Sequence, residues 1–229
     1  MDKEIVIKDL EILLYKRKIN NVSIIDFIPM LSGSTIQSIL CDLKNCNLET
    51  SSGNESHKVY IFTDGNCKKN GQIGSKAGYA VYFTDDKESI YYPLNFCSKL
   101  VDTQPTNQKA ELTAMLKAFE ILNENEMTFN DKDIVIVSDS MYAIKCLTDW
   151  YKNWERNNWK TAKGETIKNE SLIKTLIGLK KKVESARGMQ FKFKHVHSHT
   201  VCPQNRDSND YLLWYGNNQV DTMINQVLK

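Results

Sequence analysis

The stretch KVYIFTDG, residues 58–65, decides how this chain folds. Bulky and β-branched residues fill its first six positions, which predicts a β-strand. Asp64 closes this strand, and we expect Gly65 to turn the chain directly after it. An acidic side chain at the end of a strand lies where a fold can bring it together with other acids.

Three more acidic residues occupy comparable places. Asp139 follows the strand-like run 133–137, and Glu111 lies one turn into a long helical pattern. Asp221 stands near the head of a last helix, in which apolar residues keep helical spacing. Clustered carboxylates repel one another unless a cation neutralises them. Four carboxylates without a partner set of Cys and His suit Mg²⁺ or Mn²⁺ better than zinc.

Taken singly, each of these acids has an ordinary structural explanation, because strand-end aspartates form turns and acids complement the helix dipole. Together they carry four short motifs, which are TDGN (63–66), TNQKAEL (106–112), VSDS (137–140) and GNNQVD (216–221). With these motifs the chain, from about residue 57 to its C-terminus, resembles ribonuclease H. The likeness is to the type-one enzymes, which cut the RNA strand of an RNA–DNA hybrid, and the motifs occur in that family's order and spacing.

The hydrophobic patterns after residue 57 predict the order of elements. They indicate strands at 58–63, 78–84, 90–96, 133–137 and 189–196, and helices at 107–124, 140–152, 167–184 and 211–228. Three early strands joined by short turns predict an antiparallel meander, while the later helices permit parallel crossovers. We therefore expect an α/β fold with a mixed five-stranded sheet and helices on both faces. The resemblance to ribonuclease H implies the same architecture.

The chain is predicted to have an appendage before this domain. The polar segment 48–56 is typical of a linker, which leaves a catalytic domain at 57–229 and a small helical segment at 1–47. Many eukaryotic relatives carry an aromatic, basic hybrid-binding module here, whereas residues 1–47 contain no Trp and have no basic excess, with 6 Lys/Arg against 6 Asp/Glu. Residues 24–40 faintly resemble a helix-turn-helix. A packing or oligomerisation element explains the same pattern, and the role of the segment stays open.

Composition indicates an ordinary globular protein, with 41% hydrophobic and 25% charged residues in 229. Residues 1–55 hold 6 Lys/Arg against 8 Asp/Glu, which leaves 24 against 20 in the rest. No signal peptide or membrane-length apolar run is evident. The six cysteines form no Cys-x-x-Cys pair, which is typical of reduced thiols. We expect an intracellular protein, cytoplasmic or nuclear and not secreted, that acts as a monomer.

The resemblance implies a two-metal mechanism at the four acids. Asp64 would bridge two Mg²⁺ ions, for which Mn²⁺ can substitute. Glu111 and Asp139 would bind with it, and Asp221 would hold the ion on the side of the nucleophile. Such hydrolysis leaves 5′-phosphate and 3′-hydroxyl ends.

The resemblance also makes His199 the mobile-loop histidine, which assists product release or proton transfer. The family usually has Lys-Gly-His here, whereas this chain has His-Ser-His followed by a longer loop. His195, His197 and His199 alternate, so an extended segment would place them on one face. With Cys202 they form an alternative zinc site. Catalytic-loop and surface roles explain the same residues.

Recognition of the RNA strand requires contacts with 2′-hydroxyl groups, for which amide side chains are suitable. Asn70, Asn107 and Gln108 occupy the family positions that bind this strand, with the backbone around Cys67. Each of these amides has an alternative as a turn or helix-cap residue. For Asn70, which precedes Gly71, a tight turn is a well-founded alternative.

The DNA strand is held, by the same resemblance, in a phosphate pocket that matches Thr106 and Asn169. Some relatives have an Arg where this chain has Gln104. Tyr142 and Trp154 match contacts of the DNA channel. Trp150 lies one helical turn before Trp154, and this spacing is equally typical of core packing, which we prefer for Trp150.

Two other functional classes compete with a hybrid-specific endonuclease. An integrase would order its acids Asp–Asp–Glu, which this chain does not. A nuclease domain detached from a reverse transcriptase is disfavoured because no polymerase segment exists within the 229 residues. A hybrid-binding protein without activity is expected to lose at least one carboxylate, and all four are present. The expected partner is therefore an RNA–DNA hybrid, with no membrane and with protein partners unknown.

Overall fold

The computed structural model describes residues 58–198 and 200–229. A five-stranded sheet forms the centre of this described part of the chain. Its strands are β1 (Lys58–Lys68), β2 (Lys76–Tyr82), β3 (Phe96–Leu100), β4 (Asp133–Ser138) and β5 (Lys192–His195). Their order across the sheet is β3-β2-β1-β4-β5. The predictions for residues 1–47 and for the linker lie outside the described residues.

The sheet is mixed, as the sequence predicted. β1, β2 and β3 pair antiparallel as a meander, whereas β4 pairs parallel to β1 and β5 pairs parallel to β4. The parallel register aligns Phe62 with Val137. Residues two positions beyond each of these therefore emerge at the same edge of the sheet.

Six helices surround the sheet in the described part of the chain. They are α1 (Asn107–Glu124), α2 (Glu126–Phe129), α3 (Met141–Lys145), α4 (Tyr151–Arg156), α5 (Glu170–Arg187) and α6 (Asn209–Val227). Side-chain oxygens cap three of them, since Thr106, Ser140 and Ser208 each accept a bond from the amide three residues on. A π-helical segment, Cys146–Trp150, joins α3 to α4 inside the predicted helix 140–152. No described helix has the length and apolar character to cross a membrane.

Both faces of the sheet are covered, because β1 is buried on both sides. Successive side chains of a strand point to opposite faces. Ile61 accordingly belongs to the core under α1 and α5, and its neighbour Phe62 belongs to the core under α6. Each is at most 1% exposed, and full burial of such a side chain contributes about 1.5–3 kcal/mol. This double burial fixes β1 at the centre.

The predicted strand at 90–96 is wrong for most of its length. Residues 92–94 form a 3₁₀ turn, because Pro93 has no N–H to donate to a ladder. The Asn95 side chain then bonds the end of β2, accepting from the Phe83 amide at 2.7 Å and donating to the Thr84 carbonyl at 2.7 Å. The strand starts only at Phe96.

The predicted turn at Gly65 is also wrong. β1 continues through Asp64 to Lys68, since β2 pairs with it up to the Lys68–Lys76 match. Only the parallel pairing with β4 stops at Phe62. Asp64 therefore lies inside a strand whose edge toward β4 has become open.

Candidate active site

Three of the four predicted acids converge at that open edge. Asp64 lies on β1, Asp139 directly follows β4, and Glu111 lies in the first turns of α1. One carboxylate oxygen of each lies within 4.8 Å of the others. Asp64 is 7% exposed and Glu111 6%, so water screens their charges poorly.

Glu111 reaches this cluster because α1 lies directly against β1 at Gly65. A Cβ atom at Gly65 would stand 2.2 Å from the Glu111 nitrogen and 2.2 Å from the Ala110 carbonyl carbon. Any side chain would therefore push the start of α1 away. Glycine is required here for close approach, since Gly65 lies within the strand and needs no special backbone angle.

Asp221 enters the site from the opposite face, on α6. It borders the same cavity as Asp64 and Asp139, and its charge contributes to the raised pKa of Asp64. It is half-buried and lies outside the closest group of three oxygens. The structure thus brings Asp64, Asp139 and Asp221 to one cavity, and Glu111 lies within 4.8 Å of the first two.

The electrostatics of the cluster favour protonation or cation binding. Burial, followed by the charges of Asp139 and Asp221, raises the pKa of Asp64 to about 7, although the Gly65 amide donates to it at 2.7 Å. Burial, together with the charges of Asp64 and Asp139, raises the pKa of Glu111 well above its usual value. Glu111 Oε2 is buried and accepts no hydrogen bond within the described chain. A bound cation would relieve both the repulsion and this missing bond.

The donor set fits a hard divalent cation. Every atom of the group is a carboxylate oxygen, which is the ligand type of Mg²⁺ and Mn²⁺. Among residues 58–198 and 200–229, this is the only group of three or more potential ligands at such spacing. The residues present therefore fit the cofactor predicted from the sequence.

Two of the three clustered histidines lie beside the acids. His195 Nε2 is 3.1 Å from the Asp139 backbone oxygen, and the ring of His195 meets that of His197 edge-on at 5.0 Å. His197 also borders the cavity. His199 lies outside the described residues, so its predicted role stays a prediction.

The chain is similar to proteins of one known family. Residues 56–229 match the family model described as RNase H. The chain belongs to the RNase H family. This confirms the family suggested by the four motifs, and the mixed sheet with helices on both faces is the fold expected of a member.

Curated members of the RNase H family are about a third identical to this chain over the aligned residues. Ribonuclease H1 of Homo sapiens is 34% identical over 142 residues, which are 62% of this chain and 44% of the human protein. Ribonuclease H of Clostridium botulinum (strain Hall) is 31% identical over 174 residues, 75% of this chain and 95% of the bacterial protein. The chain thus spans less than half of the human relative.

A solved structure shows the same RNase H fold. The foamy viral protease-reverse transcriptase in complex with an RNA/DNA hybrid aligns with a TM-score of 0.50 and 18% identity. The alignment covers 75% of this chain and 20% of the viral chain. At this identity the likeness concerns the fold alone.

The residues predicted to bind the RNA strand form one chain of hydrogen bonds beside the acids. Asn70 Oδ1 accepts from the Asn107 amide at 3.1 Å, and Asn107 Oδ1 accepts from the Cys67 amide at 3.1 Å. The Asn107 Nδ2 group points back to Glu111 Oε1 at 3.4 Å. Gln108 follows, exposed, in the first turn of α1. These contacts place the RNase H motif amides next to the cluster of acids.

The residues predicted to bind the DNA strand lie partly together. Asn169 Nδ2 donates to the Tyr142 hydroxyl at 3.3 Å, and Asn169 has a left-handed φ of 60°. Thr106 caps α1, its oxygen accepting from the Lys109 amide at 3.2 Å. The ring of Trp154 lies between those of Trp150 and Trp159, and all three pack against the main core.

Sequence reasoning missed several residues of the cavity, among them Trp214 and Asn217. Both precede Asp221 on α6, by seven and four positions, so they share its helical face. That spacing was present in the sequence and could have identified them. Asn217 is buried, and the Trp214 indole N–H donates to the Thr200 carbonyl at 2.9 Å.

Proposed function

We propose that this protein is a metal-dependent endonuclease that hydrolyses the RNA strand of RNA–DNA hybrids and leaves 5′-phosphate and 3′-hydroxyl ends. The observation that carries the proposal is the approach of Asp64, Glu111 and Asp139 to within 4.8 Å of one another in a member of the RNase H family. Buried acids at this spacing destabilise a protein unless they serve a bound cation.

Two divalent ions, Mg²⁺ or Mn²⁺, would supply the chemistry by activating a water and stabilising charge on the leaving 3′ oxygen. Asp64 is proposed to bind both ions, with Glu111, Asp139 and Asp221 completing the ligand set. The raised pKa values of Asp64 and Glu111 support this assignment. Burial and neighbouring carboxylates make the ionised form of both side chains unfavourable, and a bound cation would offset this. His199 is proposed to act in proton transfer or product release.

Selection of RNA is proposed to rest on the amides at the start of α1. Because Asn70 and Asn107 are tied by hydrogen bonds to each other and to Cys67, their remaining donors and acceptors are held in place. Such groups suit 2′-hydroxyls, which donate and accept. Gln108, exposed beside them, would extend the contact by one nucleotide.

Selection of DNA as the other strand is proposed to rest on Thr106 and Asn169, with Tyr142 and Trp154 along the strand. The Asn169–Tyr142 hydrogen bond orients the amide, and tilted ring contacts with Trp150 and Trp159 position the Trp154 side chain. Duplex RNA would be rejected because its second strand carries 2′-hydroxyls, whereas this surface is proposed to accommodate deoxyribose.

Cellular context and domain organisation extend the proposal. We propose that the protein acts inside the cell, in the cytoplasm or nucleus, because the four described cysteines are free thiols. It is further proposed to act as a monomer. Residues 1–47 are proposed to form a separate extension, joined by the linker 48–56 to the catalytic domain 57–229.

A cleavage assay tests the function directly. Purified protein is incubated with labelled RNA–DNA hybrid, duplex RNA, duplex DNA and both single strands, with Mg²⁺, with Mn²⁺ and with a chelator. We expect cleavage of the RNA strand of the hybrid alone, and only with a metal. Binding of hybrid without cleavage under every metal condition would instead identify an inactive hybrid-binding protein.

A further inference from the structure

The first half of α6 carries an aromatic residue that connects two parts of the active site. The Trp214 indole N–H donates to the Thr200 carbonyl at 2.9 Å, and Trp214 borders the same cavity as Asp64 and Asp139. Thr200 belongs to the segment between β5 and α6, which also carries His197. Trp214 therefore bridges this segment and the helix that presents Asp221.

The support under Trp214 is rigid. The next residue, Tyr215, bonds the Asp85 carboxylate beyond the end of β2. Gly216 lies so close to the Phe62 ring that a Cβ would meet it at 2.3 Å, which fixes the distance between α6 and β1. The Tyr211 ring packs on that of Trp214 at 5.8 Å. The Trp214 indole is consequently held in place and cannot follow a displacement of Thr200.

The described residues of this segment are held at several points. The Val196 amide donates to the Ser138 carbonyl at 3.1 Å at its start, and the Ser208 amide donates to the Asn205 carbonyl at 3.3 Å at its end. Between these points the Trp214 indole N–H binds the Thr200 carbonyl. Val201, which follows Thr200, is 90% exposed. The Trp214–Thr200 bond thus ties the described middle of the segment to α6 beside the acids.

We propose that Trp214 is a positioning residue, which holds Thr200, and through the chain His197, beside the carboxylates so that His197 faces the scissile phosphate. The inference rests on the proposed cleavage of hybrids. Loss of the bond lets the segment sample open positions, and the rate of the chemical step falls with the fraction of time spent closed. Substrate affinity is not affected, because Trp214 acts through Thr200 and does not itself bind the hybrid.

The test compares Trp214→Phe with Tyr60→Phe. The first variant removes the N–H donor and keeps an aromatic ring on Tyr211. The second is a matched control. The Tyr60 hydroxyl donates to the Asn209 side chain at 3.2 Å, so this variant also removes one hydrogen bond to α6, at a place away from Thr200. Two quantities are measured: the rate at which thermolysin cuts before Val201 without substrate, and single-turnover cleavage of hybrid over a range of enzyme concentrations.

We expect Trp214→Phe to be cut by thermolysin roughly threefold to tenfold faster and to lose single-turnover rate by a similar factor, as one hydrogen bond contributes. Its half-saturating enzyme concentration should stay unchanged, and Tyr60→Phe should match the wild type in all three. Unchanged proteolysis, or weaker binding at a normal rate, would overturn the proposal. A wild type that cuts no hybrid refutes the proposed function, while proteolysis still tests the positioning.

A measurement on the wild-type protein covers the case in which Trp214→Phe does not fold. Solvent exchange of the Trp214 indole proton is followed by NMR in ¹⁵N-labelled full-length protein. A bonded indole proton exchanges much more slowly than that of a free indole. Exchange at the free rate would overturn the inference.

Discussion

Gly65 and Glu111 touch backbone to backbone, since a Cβ on Gly65 would stand 2.2 Å from the Glu111 nitrogen. The residue before Gly65 is the acid at the centre of the cluster. One glycine therefore sets the distance between β1 and α1, and with it the separation of the Asp64 and Glu111 carboxylates. The geometry of the metal site is built on this contact.

Gly65→Ala should lower the free energy of unfolding by roughly 3 kcal/mol and abolish cleavage, because overpacking against backbone cannot be relieved by a rotamer change. Gly71→Ala is the matched control. Gly71 has a φ of 76° with open space around it, so alanine there costs about 1 kcal/mol of backbone strain without a clash. Urea unfolding and hybrid cleavage distinguish the two. Equal stability losses would contradict the contact.

Asp64→Asn should abolish cleavage and yet stabilise the metal-free protein. Burial and neighbouring charge raise the pKa of Asp64 to about 7, which corresponds to roughly 4 kcal/mol of unfavourable interaction of the ionised form. The folded state thus binds this proton more tightly than the unfolded state. The free energy of unfolding in chelator should fall as the pH rises from about 4 to 7, and this fall should be smaller in the variant.

Asp133→Asn provides the control for that experiment. Asp133 is equally buried, but its carboxylate pairs with Lys192 at 2.6 Å, so its charge is compensated. Loss of this charge should destabilise the protein and leave cleavage intact. Stabilisation by both variants would show a general effect of charge, unrelated to the cluster.

Asn169→Gly should weaken hybrid binding several-fold at a stability cost of only about 1 kcal/mol, that of its hydrogen bond to the Tyr142 hydroxyl. Asn169 has a left-handed φ of 60°, which glycine adopts without strain, so the change removes the amide without straining the backbone. Asn158→Gly, at a φ of 49° and exposed, is the matched control and should bind normally. Affinity is measured with Ca²⁺ in place of Mg²⁺ to prevent cleavage. Normal affinity of Asn169→Gly would remove this residue from the proposed phosphate pocket.

A truncated protein beginning at Ser56 should retain cleavage and hybrid specificity, because every proposed site residue lies beyond the linker. Rates on hybrid and duplex RNA are compared with those of the full chain. A lower affinity with a normal rate would show that residues 1–47 contact substrate. Loss of the chemical step in a folded truncation would contradict the domain boundary.

Cleavage should require a run of about four ribonucleotides, because recognition of 2′-hydroxyls by Asn70, Asn107 and Gln108 spans several nucleotides. Substrates with one, two, four and six ribonucleotides in duplex DNA are compared, and product ends are identified by mass spectrometry. Efficient incision at a single ribonucleotide, or a 2′,3′-cyclic end, would exclude the proposed mechanism.

The sequence by itself determined the elements that contain the site. The apolar runs of β1 and β4 predicted two strands, and the spacing around Glu111 and Asp221 predicted two helices. The four motifs identified the family. These signals are local, because a buried strand or helix face imposes its period on neighbouring residues. The same helical spacing predicts that Trp214 and Asn217 share a face with Asp221, although the predicted site included only Asp221.

Only the tertiary structure decided where the chain turns and which groups meet. Gly65 was expected to end a strand, but its pairing with β2, distant in sequence, extends β1 to Lys68. Asn95 ends β2 through its side chain, which no periodicity reveals. The 2.2 Å limit between Gly65 and Glu111, and the Trp214–Thr200 bond, likewise join residues far apart in the chain. Local propensity carries no information on such contacts, since they arise only when the sheet and both helix layers have packed.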